Sequence, residues 1–133
     1  MIYSAFLTPQ GKYLADFFIT AADGTINLEG EETQMGEVYK KLSLHKLRSD
    51  VALSLEPTSV YVSFENGAYK DPRHDDMGYR SYTQPNGAEI EPNAYHAKRI
   101  ALAIPDAEDW DVGRSSPFQG NLDLLNAISF TKG

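Results

Sequence analysis

The sequence has no cysteine, a shortage of positive charge and no long apolar run. Without a thiol, these residues hold no disulfide framework, no thiolate nucleophile and no cysteine-ligated zinc or iron–sulfur site. The 12 Lys plus Arg are outnumbered by 19 Asp plus Glu, for a formal net charge of -7. That balance argues against a broad nucleic-acid surface, which must neutralise phosphate with a cationic face. No stretch approaches the roughly 18 consecutive apolar residues of a membrane span. Met1-Ile2-Tyr3-Ser4 also lacks the basic start of a secretory signal. Neither a Gly-x-Ser-x-Gly elbow nor a Gly-x-x-x-x-Gly-Lys phosphate loop is present. The expectation is a cytoplasmic protein with no membrane or nucleic-acid partner, acting on a small molecule or a protein.

What is present suits a globular fold. The 133 residues are 41% hydrophobic and 11% aromatic, and a domain of this size buries about two-thirds of its unfolded surface. The first thirty residues read as a three-stranded meander. Tyr3 to Leu7 and Tyr13 to Ile19 flank the Thr8-Pro9-Gln10-Gly11 turn, and Asp23-Gly24 leads into Thr25-Ile26-Asn27-Leu28. The period then changes: Met35, Val38, Tyr39 and Leu42 fall at helical spacing, with acids early and Lys40 and Lys41 late to match the helix dipole. Strand alternation returns at Val51, Leu53 and Leu55 and again at Val60, Val62 and Phe64. A loop-rich stretch with Pro72, Pro85, Gly87 and Pro92 follows, holding a short extended piece at 78–82. A second helix starts near Pro92 and must stop before Pro105. Residues 106–111 read as an acidic surface loop, and 121–126 as a last helical turn or two. The fold class expected is α+β, mostly an antiparallel sheet with two flanking helices.

The polar constellations are few. His45 sits among cations, His74-Asp75-Asp76 offers adjacent ligand types that rarely close a coordination sphere, and His96 has Ile100 at i+4; no metal site is expected. Lys40, Lys41, Lys46 and Arg48 could hold an anion, but the end of a helix attracts cations for its own dipole. Asp71-Pro72-Arg73 with Tyr79-Arg80 places two guanidinium groups, a carboxylate and a phenol on a Gly- and Pro-rich loop. That is either polar recognition or a plain surface salt bridge.

Several blocks, in order, resemble the YgfZ family, folate-binding relatives of the glycine-cleavage T protein. They are Leu7-Thr8-Pro9-Gln10-Gly11-Lys12-Tyr13-Leu14-Ala15-Asp16-Phe17, then 42–51 around Lys46-Leu47-Arg48, then Asp71-Pro72-Arg73 with Met77-Gly78-Tyr79-Arg80. Tyr95-His96 to Arg99 with Ile104-Pro105 follows, and the run from Asn121-Leu122-Asp123 to Lys132-Gly133 enters the family's Lys-Gly-Cys signature. Ala103 stands where the family usually has Gly. The resemblance implies that residues 1–133 are a single internal fragment of a GcvT/YgfZ-like folate-binding region, without the family's N-terminal segment and C-terminal barrel domain. It further implies tetrahydrofolate as cofactor, iron–sulfur client proteins as partners, and a role in assembly or repair of iron–sulfur clusters rather than conventional aminomethyltransferase activity. Site residues carried by it or by their chemistry are Lys132, Gly133, Arg99, Asp71, Arg73, Tyr79 and Arg80. The rival readings are a folate-dependent aminomethyltransferase of the glycine-cleavage type, and a small acidic interaction or inhibitor domain using 29–32 and 106–111.

Overall fold

The structure, a computed structural model, describes residues 1–84 and 90–131. Pro85 and Gly87 of the expected loop, and the site candidates Lys132 and Gly133, lie outside the described residues.

The meander forms as its turns dictate. Strands β1 (Ile2–Leu7), β2 (Tyr13–Ala22) and β3 (Thr25–Glu29) make an antiparallel sheet in the order β1-β2-β3. The first turn is closed by the Gly11 N–H on the Thr8 carbonyl at 2.8 Å. In the second, Asp23 (φ 50°) and Gly24 (φ 75°) both take the left-handed conformation that a two-residue hairpin favours. Helix α1 (Glu32–His45) covers β2 with the face its spacing selects, burying Val38 against Ala15 and Phe17. Phe18 faces a second, larger core with Tyr3, Tyr13, Met77, Ile104, Leu122 and Leu125. β2 is thus buried on both sides, which explains its nearly unbroken apolar run.

Beyond α1 the expectation needs correction. Val51, Leu53 and Leu55 belong to no strand, and instead of one sheet the described residues make two. The second consists of β4 (Tyr61–Ser63), β5 (Tyr69–Lys70) and β6 (Tyr79–Ser81), antiparallel in the order β4-β6-β5. Its strands are short because turn residues interrupt the chain at Asn66-Gly67, Pro72 and Gly78. Gly78 is required twice over: its φ is 75°, and a Cβ there would run into the Ser63 carbonyl of β4. The 106–111 stretch is more than a surface loop, since it carries Trp110 onto the Tyr13 ring, with centroids 3.9 Å apart and planes 9° from parallel. Gly120 lets that indole in, because a Cβ would occupy the indole's own space. Residues 121–126 form turns, with no α-helix.

Helix α2 (Pro92–Ala101) begins with proline at its first turn and ends before Pro105, as expected. Its end is a Schellman motif: the Ile104 N–H bonds the Arg99 carbonyl at 2.9 Å and the Ala103 N–H the Ile100 carbonyl at 3.0 Å. Ala103 therefore sits at φ 54°, in the left-handed region where glycine is unstrained. Ala103→Gly should relieve about 1 kcal/mol of steric cost. A rise in the urea midpoint at constant slope would confirm this, and an unchanged or lower midpoint would refute it.

Candidate functional site

The Asp71-Pro72-Arg73 loop links β5 to β6 and folds back on itself through the Asp71 N–H on the Gly78 carbonyl at 2.9 Å. Within it, Asp71 accepts the Arg73 backbone N–H at 2.9 Å, Arg73 Nε at 3.0 Å and Arg73 Nη2 at 2.7 Å. The carboxylate thus holds the guanidinium in two-pronged fashion while capping the turn that follows it. The same Nη2 donates to the Tyr95 hydroxyl of α2 at 2.9 Å. Arg80 of β6 donates through Nε at 3.0 Å and through Nη2 to Glu29 Oε1 at the end of β3, and its Nη1 is 3.8 Å from Asp71 Oδ2. Both guanidinium carbons lie over the Phe18 ring of β2, Arg73 at 4.8 Å and Arg80 at 4.1 Å from its centroid.

This is not a surface salt bridge. Asp71 is 2% exposed, Arg73 6% and Arg80 8%. Burial by itself would lower the Arg73 pKa, but the hydrogen bonds and charge of Asp71, with Tyr95, outweigh it and the net direction is upward. Arg80 is likewise pushed down by burial and raised further by Glu29. Among the described residues, Arg80 Nη1, Glu29 Oε2, Tyr82 Oη and Thr20 Oγ1 are buried without a hydrogen-bond partner.

Arg99 belongs to a separate cluster. Its Nε lies 3.2 Å from Asp106 Oδ2 and 3.1 Å from His96 Nδ1, and its Nη1 donates to Asp109 at 3.0 Å and to the Ile104 carbonyl at 3.3 Å. It lines an open cavity of about 330 Å³ with Ile104, Asp109, Gln119 and Asn121. Asp109 is held below the usual carboxylate range, first by the Asp106 backbone N–H and then by Arg99. Two acids of the expected acidic surface loop, Asp106 and Asp109, thus pair with Arg99. His74 Nδ1 accepts the Asp76 N–H at 3.1 Å, and among the described residues no group of three His, Asp or Glu is placed to hold a metal ion.

Sequence reasoning missed a third polar centre. Asp16 of β2 accepts the Tyr3 hydroxyl at 2.6 Å and the Tyr13 hydroxyl, with Gln34 Oε1 3.2 Å from the latter. Its signal was a lone carboxylate inside the apolar run Tyr13-Leu14-Ala15-Asp16-Phe17-Phe18. Glu29 was missed as Arg80's partner because the two are 51 positions apart.

Seven candidates were expected to meet a folate. The structure brings Asp71, Arg73 and Arg80 together, leaves Arg99 apart, and puts Tyr79 beside the first group in β6. The fit to folate is partial: the Asp71 carboxylate is filled by Arg73, which leaves it unsuited to read a pterin edge, although Asp71 and Arg73 line an open cavity of about 450 Å³ with Lys70, His74 and Asn126, as Arg99 lines the one of about 330 Å³.

Two outcomes follow. Asp71→Asn leaves the buried Arg73 charge without its counterion, and should cost about 3–5 kcal/mol of unfolding free energy in urea titration. A loss under about 1 kcal/mol, the scale of an exposed pair, would show the pair to be solvent-like. Burial, then the charge and hydrogen bond of Asp16, push the Tyr3 and Tyr13 hydroxyls well above the ordinary tyrosine range. The unfolded chain therefore binds fewer protons than the folded one above pH about 10. These tyrosines leave stability unchanged below that range and erode it as pH rises through it. Tyrosinate absorbance should show two of the 8 tyrosines ionising only with unfolding; full titration in the folded chain would contradict the geometry.

No protein-family model matches the chain, and no solved structure gives a significant match. Sequence relatives do. The mouse protein named iron-sulfur cluster assembly factor IBA57, mitochondrial, is 29% identical over 164 aligned residues, covering 98% of this chain and 46% of the mouse protein. The human protein of that name is 27% identical with the same coverage, and a Neurospora crassa homolog is 26% identical over 98% of this chain and 39% of its own length. The chain thus spans less than half the length of these relatives. Their names overturn the cytoplasmic expectation, because all of them are mitochondrial proteins. The error came from treating the lack of a secretory start as evidence of compartment.

Proposed function

We propose that this chain serves in iron–sulfur cluster assembly, as part of a folate-binding protein of the YgfZ kind with a mitochondrial setting. One observation carries the reading: 98% of the chain aligns with proteins named as iron–sulfur cluster assembly factors. The blocks that resemble the YgfZ family include Asp71-Pro72-Arg73 and Met77-Gly78-Tyr79-Arg80, and these are the segments that build the buried arginine network. In this reading 1–133 is one section of a larger folate-binding region. Asp71, Arg73 and Arg80 brace its wall, while Arg99 supplies the group nearest a ligand.

The assembly role is tested by a chimera. The matching segment of the Neurospora crassa homolog is replaced by this chain and expressed in a strain lacking that homolog. Recovery of iron–sulfur enzyme activity is expected, and recovery no better than with an unrelated segment of equal length would overturn the role. Isothermal titration with tetrahydrofolate tests the ligand separately. Weak or no heat is expected from the 133-residue chain, since a pocket shared with other segments is not pre-organised in it. Stronger binding by the chimera should fall at least about tenfold on Arg99→Ala, as a charge-assisted contact is lost. Tight binding by the chain alone would contradict the shared pocket.

A further inference from the structure

The Tyr13 ring stands between an indole and a carboxylate. On its face lies Trp110, the single tryptophan of the chain, with centroids 3.9 Å apart. At its tip the hydroxyl donates to Asp16 Oδ1, while Asp16 Oδ2 accepts the Tyr3 hydroxyl at 2.6 Å. The stack is anchored in the backbone: the Tyr13 N–H bonds the Ser115 carbonyl at 2.9 Å and the Gly113 N–H bonds the Tyr13 carbonyl at 2.7 Å, which ties the stretch after Trp110 to β2. A phenylalanine would stack equally well and bury no hydroxyl, so packing alone does not account for the phenol. We propose that Tyr13 is a redox site, at which a one-electron hole created on Trp110 comes to rest as the Tyr13 hydroxyl proton moves to Asp16.

The surroundings separate the roles of the two rings. Oxidation makes a phenol or an indole a far stronger acid, so the hole settles where a base can take the proton. Among the described residues, Trp110 Nε1 is buried without a hydrogen-bond partner, and its radical cation has no acceptor at hand. Tyr13 has one, because Tyr3 holds Asp16 Oδ2 and leaves Oδ1 to the Tyr13 hydroxyl. Burial, then Asp16, push the Tyr13 hydroxyl well above the ordinary tyrosine range, so its proton leaves only together with the electron. Tyr13 is fully buried and its radical is shielded from water, whereas Trp110 is half-buried and forms the point of entry. An inorganic radical oxidant, of the carbonate or azidyl class, takes one electron from Trp110 and leaves as its anion. The indole radical cation then takes one electron from Tyr13. The Tyr13 O–H bond breaks, an O–H bond forms on Asp16 Oδ1, and a neutral tyrosyl radical remains. A thiolate returns the electron, becoming a thiyl radical, and Asp16 returns the proton.

Pulse radiolysis of the 133-residue chain with azidyl radical, followed by transient absorbance, tests this. The Trp110 radical is expected to decay as a tyrosyl band grows, at a rate independent of protein concentration. Tyr13→Phe keeps the stack and should leave the Trp110 radical long-lived. Asp16→Asn should slow the transfer at least about tenfold, the scale of one hydrogen bond to a charged group. Decay of the Trp110 radical at the same rate in Tyr13→Phe overturns the proposal, as does unchanged transfer in an Asp16→Asn chain with a native circular dichroism spectrum. The unaltered chain supplies a check that needs no variant: transfer should slow in heavy water, and equal rates in the two solvents overturn the move of the proton to Asp16.

Discussion

The Asp71 to Arg73 ion pair, coupled through Arg80 to Glu29 across the Phe18 ring, is the interaction on which the rest of the structure depends. Taking a charge out of water costs several kcal/mol per ion even after relaxation. A 133-residue chain can bury two guanidinium groups only if carboxylates, hydrogen bonds and an aromatic face offset that cost together. Each piece comes from a different element: the loop between β5 and β6 supplies Asp71 and Arg73, β3 supplies Glu29, β2 the phenyl ring and α2 the Tyr95 hydroxyl. Geometry that demanding fixes the second sheet and α2 against the meander, where apolar contact alone would permit sliding. Gly78 serves the same end by letting the β4 backbone approach the turn that carries the pair.

This commitment changes how the conspicuous polar residues bear on function. Asp71, Arg73 and Arg80 have the chemistry a folate would require, yet they spend it on one another, and their role in the proposed function is to hold a wall in place. Arg99 is also paired, with Asp106 and Asp109 beside open space, and of these partners Asp109 is exposed, so that ion pair is screened. Its position at the end of α2 depends on the Schellman turn, since the Arg99 carbonyl accepts the Ile104 N–H that closes it. The network reaches α2 one turn earlier, at Tyr95, so the buried pair and Arg99, whose own side chain is 13% exposed, are joined by a single helix.

How much of this was legible follows from the range of each interaction. Turns and helices declared themselves locally: Asp23-Gly24 fixed the hairpin, the spacing of Met35, Val38 and Leu42 fixed α1, and Pro92 and Pro105 bracketed α2. The Asp71, Arg73 and Arg80 grouping was visible as a motif, but its burial was not, because that depends on Phe18 and Glu29, more than forty positions away. Trp110 read as part of an acidic loop, as nothing nearby reveals that Gly120 opens a slot for it against Tyr13. The strand expected at Val51 failed for the opposite reason: its pattern is sound, but a strand needs a paired neighbour, and among the described residues 51–55 pair with none.

The central claim is that the buried guanidinium pair is structural and that Arg99 faces the ligand. Side-chain ¹⁵N NMR of the arginine Nε groups in the chimera, with tetrahydrofolate added to high concentration, tests it most directly. The expected result is slowly exchanging Arg73 and Arg80 signals that stay in place while the Arg99 signal moves with added ligand. Movement of Arg73 or Arg80 with Arg99 unchanged would contradict it.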